Sequence, residues 1–269
     1  MTEEQQTEIM SGFCSSINDL RTNQQLFDFK IMLGERAYPV HKVVLAANSD
    51  YFRAMFLNEM KEAQENAVTI DDVDPYIMKL IIDFCYTQQI SLNEENYLDV
   101  LTAASRFCMK ILLDVCVEYL STIMNVSNCL HLIDISDKYK LPNLGGSAAK
   151  FVAKNLEEII RRPEFDNIGE QHWLMIWPEK SRPEEVEEEL FEKFVHWTKQ
   201  DPKPRSATFD KMSKHVKYSS MELEELVKFS WSDTVRNSRA CQELMEKAKD
   251  LRLMDQYELI TQLRSELSE

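Results

Sequence analysis

Glycine is scarce in this chain, and that scarcity limits what the chain can fold into. The sequence has 5 glycines in 269 residues, against about 19 at the usual usage of ~7%. Barrels, propellers and doubly wound nucleotide-binding folds need many backbone positions with positive φ, which glycine supplies most readily. Hydrophobic residues make up 44% of the chain, which is enough for a real core. A mostly helical fold is therefore favoured.

The charge balance limits the partners that the chain can have. The formal net charge is -15 and the sequence pI is close to 4.9. Nucleic acids and anionic membranes bind cationic surfaces, so neither is expected as a partner. No stretch reaches the ~18 apolar residues of a membrane span. The sequence starts with polar and acidic residues, where a secretory signal would be basic and then apolar. We therefore expect a cytoplasmic or nuclear protein.

Residues that could carry chemistry are present but are not arranged for it. The five histidines show no metal-ligand spacing, and no nucleophile has a recognisable base at a workable spacing. The cysteines are far apart and form no CxxC pair, which is typical of reduced thiols that act as small buried hydrophobes. We therefore expect no enzymatic activity, no metal and no cofactor. The six cysteines are Cys14, Cys85, Cys108, Cys116, Cys129 and Cys241.

The N-terminal segment predicts an amphipathic helix. Over residues 7–20, apolar side chains recur at spacings of four, four and three, which places them on one face. A single surface helix with nothing of its own to cover is expected to lie across a partner. The apolar stripe consists of Ile9, Phe13, Ile17 and Leu20.

Strand signals follow the helix. Phe29, Ile31 and Leu33 alternate with less apolar residues before a turn at Gly34-Glu35, which predicts a β-hairpin. The run AVTIDDV at 67–73 predicts another strand. The fold class is therefore α+β, with helix in the majority.

Beyond Asn93 the sequence predicts only helices, with breaks at prolines. The change from mixed to helical structure predicts a domain boundary near Met124-Asn125. The doublet Gly145-Gly146 is expected in a turn between helices. The acidic run Glu184–Glu189 is expected to form a solvated first helical turn, where carboxylates favour the positive end of the helix dipole.

The segment VHKVVLAANSDYFRAMFLNEMKE at 40–62 closely resembles the signature of the BTB (POZ) domain. The resemblance is extended by IIDFCYT at 81–87 and YLDVLTAASRFCM at 97–109. It implies a small sheet with helices, in which His41 is a buried residue at a helix start. The residues that match the family pattern are Asp28, His41, Lys42, Leu45, Ala46, Ala47, Ser49, Tyr51, Phe52, Met55 and Phe56.

The helical half resembles the BACK domain that follows BTB in kelch-like proteins. The segment NCLHLIDISDKYKLPNL at 128–144 is similar to its opening helix pair, and FVHWTKQDPKPR at 194–205 is similar to a later stretch. The resemblance implies a BTB/POZ domain over 1–124 and an all-α BACK domain over 125–269. Kelch-like proteins continue into a glycine-rich propeller that this sequence lacks. A substrate protein is therefore expected to bind through a missing C-terminal module.

The resemblance also implies a partner for the first domain. Met60-Lys61-Glu62 looks like the hydrophobic-x-Glu motif with which such domains bind the N-terminal domain of cullin-3. An apolar anchor can fill a pocket there, and a carboxylate two residues later can fix the register at the rim. The expected cullin-binding residues are Tyr51, Leu57, Met60, Glu62, Tyr86 and Tyr97.

These expectations combine into one function and one alternative. The function is that of a scaffold that forms a homodimer through the N-terminal stripe and recruits cullin-3 as the substrate adaptor of a ubiquitin ligase complex. The alternative is a BTB-type transcriptional corepressor or structural scaffold that binds no cullin.

Overall fold

A computed structural model describes residues 2–58 and 60–266. Helices make up 69% of the structure, and the described residues contain one small sheet. The predicted class, α+β with helix in the majority, is confirmed. The chain divides into two compact units between Thr122 and Ile123. The domain limits at 1–124 and 125–269 stay a prediction.

The sheet of the first unit has three strands in the order β2-β1-β3. Strands β1 (Phe29–Leu33) and β2 (Arg36–Val40) form the predicted antiparallel hairpin. Gly34 in its turn has a φ of +55°, a conformation that glycine adopts without strain. Strand β3 (Ala67–Thr69) pairs parallel with β1, so the strand predicted over 67–73 is only three residues long.

The central strand β1 places its apolar side chains in the core. Phe29, Ile31 and Leu33 are all buried, whereas Lys30 between them is exposed. Because side chains alternate between the two faces of a strand, one face of β1 packs inward and carries the first unit's core.

Local capping explains where helices of the first unit start. The carboxylate of Asp74 accepts the Tyr76 N–H at 2.8 Å, and Pro75 occupies the first helical turn, where its missing N–H costs nothing. The hydroxyl of Ser49 accepts the Phe52 N–H at 3.1 Å. The helices are α1 (Glu3–Thr22), α2 (Lys42–Asn48), α3 (Asp50–Leu57), α4 (Lys61–Glu65), α5 (Pro75–Thr87), α6 (Tyr97–Arg106) and α7 (Lys110–Thr122).

The second unit contains helices and no strand among its described residues, as the sequence predicts. Two 3-10 turns, Pro163–Asn167 and Tyr218–Ser220, connect longer elements. The helices are α8 (Cys129–Lys138), α9 (Pro142–Lys154), α10 (Leu156–Ile159), α11 (Glu170–Ile176), α12 (Glu187–Gln200), α13 (Pro202–Ser213), α14 (Leu223–Ser230), α15 (Asp233–Arg236) and α16 (Arg239–Glu266).

Aromatic rings from three helices fill the centre of the second unit. The Phe194 ring of α12 lies 4.8 Å from both Trp173 and Trp177 and 5.1 Å from Phe209 of α13. It also stacks on Trp197 at 5.9 Å. Aromatic side chains bury large areas, so this cluster holds α11, α12 and α13 together.

Two sequence predictions for the second unit are wrong. Gly145 and Gly146 lie inside helix α9 and not in a turn between helices. The acidic run 184–189 is not wholly solvated, because Glu187 is 0% exposed and its carboxylate accepts the Lys217 N–H at 2.7 Å. The glycine doublet continues the helix that begins at Pro142, whereas Glu187 is buried against Lys217, 30 residues further along the chain.

Candidate functional site

The candidate partner surface begins at the end of helix α3. Ser49 fixes the start of this helix by accepting the Phe52 N–H and donating its own proton to the Phe107 carbonyl at 2.6 Å. Eight residues later the helix ends at Leu57, whose side chain is 76% exposed. A leucine that is left this open at the end of a well-anchored helix is available to a partner.

Met60 stands at the N-cap of the short helix α4. Its carbonyl accepts the N–H groups of Ala63 at 2.9 Å and of Gln64 at 3.2 Å, and its own N–H donates to the Met55 carbonyl at 3.3 Å. The backbone is therefore held in place while the thioether side chain is 45% exposed. The half-buried Glu62 lies in the first turn of α4, where the helix dipole favours a carboxylate.

A lysine of α2 also contacts α4. The Lys42 ammonium donates to the Ala63 carbonyl at 3.2 Å and to the Asn66 side-chain oxygen at 2.6 Å. Because Lys42 belongs to α2, this contact fastens α4 to a longer helix. The turn that carries Met60 and Glu62 is thus attached at both ends.

Two tyrosines expected at this surface are partly accessible. Tyr51 is half-buried near the start of α3, with its ring 5.1 Å from Phe52 and 5.5 Å from Phe107. Tyr97 is half-buried at the start of α6, with its ring 6.0 Å from Tyr119. Leu57, Met60 and Glu62 therefore lie within one short stretch of chain, Tyr51 shares a helix with Leu57, and Tyr97 lies on a different helix.

The sixth expected contact residue, Tyr86, is placed differently by the structure. Its side chain is 1% exposed. Its hydroxyl accepts the His41 N–H at 2.8 Å and lies 2.8 Å from the His41 ring Nδ1. Burial raises the pKa of Tyr86 to about 12, so the phenol stays protonated and neutral. Tyr86 offers no surface to a partner, and the partner surface proposed below does not include it.

The side chains of the predicted apolar stripe become less exposed towards the C-terminal end of helix α1. Ile9 is 61% exposed and Phe13 is 60% exposed, whereas Ile17 and Leu20 are half-buried. Helix α1 packs on α5. The C-terminal end of the stripe therefore packs within the first unit, and its N-terminal end faces solvent.

Arg21 fixes the buried end of α1. Its guanidinium lies 2.6 Å from the Asp83 carboxylate and 4.6 Å from the centroid of the Tyr86 ring. Lys79 also pairs with Asp83, at 2.6 Å. Burial on its own raises the pKa of Asp83, but hydrogen bonds from Lys79 and Arg21 outweigh it and hold that pKa below its ordinary value.

His41 and His172 are the two buried histidines among the described residues. No group of three or more histidine, cysteine, aspartate or glutamate side chains there is placed to hold a metal ion. His41 is buried at the N-cap of α2, as the resemblance implies. His172 is buried at the start of α11 with its Nε2 donating to the Leu130 carbonyl at 3.1 Å.

The cysteines are mostly as expected, with one correction. Burial raises the pKa of Cys85 and of Cys116 to about 12 and that of Cys241 to about 11, so these thiols are protonated. Cys108 is exposed and not packed in the core. Its backbone has a φ of +51° in the turn between α6 and α7, which sends the side chain outward. Cys14 on α1 is half-buried.

None of the helices within the described ranges is both long enough and apolar enough to span a membrane.

Two family models match the two parts of the chain. A family model described as the BTB/POZ domain matches residues 17–124, and one described as BTB And C-terminal Kelch (BACK) matches residues 129–230. A solved structure of the BTB domain of zebrafish PATZ1 matches at 26% identity, covering 43% of this chain and 94% of that one with a TM-score of 0.39.

Together the two family models cover most of the sequence, one in each half. The chain belongs to the BTB–BACK family. Domains of this family are typically non-catalytic scaffolds that associate with themselves and with protein partners.

Proposed function

We propose that this chain is the substrate adaptor of a ubiquitin ligase complex, a homodimer that recruits the N-terminal domain of cullin-3 and catalyses nothing itself. Substrate recognition belongs, in this proposal, to a further module joined to the BACK domain. The site of action is the cytoplasm or the nucleus.

The observation that carries the proposal is the exposure of two apolar side chains beside a carboxylate. Leu57 at the end of α3 and Met60 just before α4 are both exposed, and Glu62 is the second residue of α4. Apolar anchors at an interface centre supply most of the binding energy, and a carboxylate at the rim fixes orientation. Tyr51 and Tyr97 add half-buried aromatic surface.

The dimer is supported by the exposed half of the α1 stripe. Ile9 and Phe13 are apolar, adjacent on one helix face and uncovered in a single chain. In a symmetric dimer both copies cover each other's stripe. Two cullin sites and two substrate arms in one particle would then raise the effective concentration of a weakly bound substrate.

A binding titration with the cullin-3 N-terminal domain tests this function. Replacing Met60 and Glu62 together by alanine is expected to weaken binding by roughly thirtyfold or more, because loss of an interface anchor commonly costs ~2 kcal/mol. The matched control is Tyr76→Ala, an exposed side chain of the same domain outside the surface. The assignment of the surface is wrong if the double variant stays within twofold of the parent. A parent chain that binds no cullin would favour the corepressor or structural scaffold instead.

A further inference from the structure

A cavity at the surface of the second unit is lined by the turn Pro163–Asn167, by α11 and by α12. Its volume is about 350 Å³, which is enough for about ten water-sized groups at ~30 Å³ each. One amino-acid residue with a long side chain has this size. The apolar part of the wall comes from the buried side chains of Phe165, Ile168, Trp173 and Trp197.

Two buried hydrogen-bond donors in this wall have no acceptor. The indole Nε1 atoms of Trp173 and Trp197 form no hydrogen bond among the described residues, although the two residues are only 1% and 4% exposed. An indole nitrogen can only donate, and a donor that is buried without a partner costs free energy. Because both side chains line the cavity, a ligand that brings an acceptor into it can satisfy them.

Packing holds the two indole rings in place. The Phe165 ring lies edge-on to Trp173 at 5.7 Å, and the rings of Trp173 and Trp197 are 6.1 Å apart. The Arg205 guanidinium lies 4.4 Å from the centroid of the Trp197 ring and donates to the Trp197 carbonyl at 2.6 Å. Donors that are fixed before a ligand arrives need no ordering when it binds, which favours binding.

The rim of the cavity carries an excess of negative charge. Asp166 and Lys193 pair at 2.5 Å and so neutralise each other. Glu189 and Glu192 also line the cavity, and neither forms an ion pair within the described chain. With His196 counted as neutral, two carboxylates of the rim are left without a counter-charge. The rim is therefore complementary to a cation.

The second unit does not supply that cation from α14. Lys228 acts electrostatically on Glu192, but its ammonium is already paired with Glu225 at 2.9 Å. The charge is therefore best supplied by a partner. Asp166 and Glu192 are exposed, so a longer chain can place one residue in the cavity and continue along the surface on both sides.

The same charges select the kind of acceptor. A carboxylate entering the cavity would meet the unpaired Glu189 and Glu192, so an anionic acceptor is disfavoured. The carbonyl oxygen of a side-chain amide is uncharged and has two lone pairs, so it can accept from two indole groups. Glutamine and asparagine are the residues that carry such a group.

We propose that this cavity binds a protein segment in which a glutamine or asparagine stands next to an arginine or lysine. The side-chain amide enters the cavity and accepts hydrogen bonds from Trp173 and Trp197, while the adjacent cation pairs with Glu189 and Glu192 at the rim. The inference is independent of the proposed cullin surface, since every residue that it uses belongs to the second unit.

Titration of the full chain with a short capped peptide, followed by NMR, tests the inference. The probe is a pentapeptide of alanine with glutamine at the third position and arginine at the fourth, for which a dissociation constant on the order of 1 mM or tighter is expected. The indole signals of Trp173 and Trp197 are expected to move. Those of Trp177 and Trp231, which do not line the cavity, are internal references. No movement, or equal movement of all these signals, would overturn the proposal.

Changes to the peptide separate the two contacts. Leucine in place of the glutamine keeps an apolar stem without the acceptor and is expected to weaken binding about tenfold. Alanine in place of the arginine removes the charge and is expected to weaken binding to a similar degree. A leucine peptide that binds like the probe would show that the cavity recognises apolar groups alone, which would contradict the proposed occupant.

Substitutions at the rim test where the cation binds. The double variant Glu189→Gln with Glu192→Gln is expected to bind the probe about tenfold more weakly and no better than the peptide without arginine. The matched control is Glu185→Gln with Glu258→Gln, which removes two exposed carboxylates outside the cavity and is expected to stay within about twofold of the parent. A rim variant that keeps the full preference for the arginine peptide would refute the proposal.

Discussion

The guanidinium of Arg182 lies 3.2 Å from the carboxylate of Glu187, and both side chains are at most 2% exposed. Arg182 also donates to the carbonyls of Glu179 at 2.8 Å and His215 at 3.0 Å. This buried pair joins the segment before α12 to the segment after α13. Glu179 and Glu187 lie within five residues of Arg182, whereas His215 follows α13, so the pair both stabilises the folded second unit and depends on it.

Glu187→Ala is expected to lower the free energy of unfolding by about 3 kcal/mol, because it leaves the Arg182 charge buried without its partner. Urea denaturation of the full chain measures this. The control is Glu185→Ala, an exposed neighbour in the same acidic run, which is expected to change stability by less than about 0.5 kcal/mol. Equal effects at the two positions would show that the buried pair has no special role.

Replacing the two glycines of α9 by alanine, one at a time, is expected to change the stability of the fold in opposite directions. A Cβ on Gly145 would meet the end of Met175 and would lie 2.6 Å from the Ser136 hydroxyl, so Gly145→Ala is expected to destabilise by about 1–3 kcal/mol. A Cβ on Gly146 meets nothing within 4 Å, so Gly146→Ala is expected to stabilise the helix by about 0.5–1 kcal/mol. Thermal unfolding of both variants checks the pair, and a shared sign would contradict the packing described for α9.

Maleimide labelling at pH 7.5 is expected to modify Cys108 first and Cys14 more slowly. The other four thiols stay unlabelled in the folded chain because burial raises their pKa values and blocks access. Raising the pH to about 9 is expected to leave Cys85 and Cys116 unlabelled, since a pKa of about 12 is still far above that pH. Mass spectrometry locates the label, and Cys108→Ser is expected to remove the fast phase.

Tyr86→Phe distinguishes a core residue from a contact residue. It removes the hydroxyl that satisfies the His41 N–H and ring nitrogen, so we expect a loss of about 1–2 kcal/mol in stability. Cullin affinity, measured on the folded fraction, is expected to stay within twofold. A large loss of cullin affinity with unchanged stability would show that Tyr86 belongs to the partner surface after all.

Asp83→Asn is expected to loosen the end of α1. The variant loses the charge that pairs with Arg21 and Lys79, and amide exchange over residues 17–22 is expected to rise roughly two- to fivefold. The control is Asp50→Asn, which breaks an exposed pair with Arg53.

Acid should have the same effect as Asp83→Asn in the parent. The folded pKa of Asp83 is lowered, so its stabilisation is present above the ordinary carboxylate pKa of about 4 and is lost as the pH falls through the lowered value. Exchange over residues 17–22 that is insensitive to both changes would show that the pair does not hold the helix.

Much of the fold was legible in the sequence because its signals are local. The alternation of Phe29, Ile31 and Leu33 and the turn at Gly34 specify the hairpin within a few residues. The cap at Asp74-Pro75 specifies the start of α5. The motif around Met60 and the stripe of α1 are likewise contained in short segments, and the structure leaves Met60, Ile9 and Phe13 exposed.

What the sequence by itself determined is therefore the class, the order of elements and the family. Only the tertiary structure decided which polar and reactive groups are buried. In the sequence Glu187 looks like one of several surface carboxylates, but in the structure it is hydrogen-bonded to Arg182 and Lys217. Tyr86 looks like a contact residue, but its hydroxyl is hydrogen-bonded to His41, 45 residues away. Cys108 looks like a core residue in the sequence, but it is exposed in the turn after α6. Burial depends on partners brought from distant segments, and no local pattern records those partners.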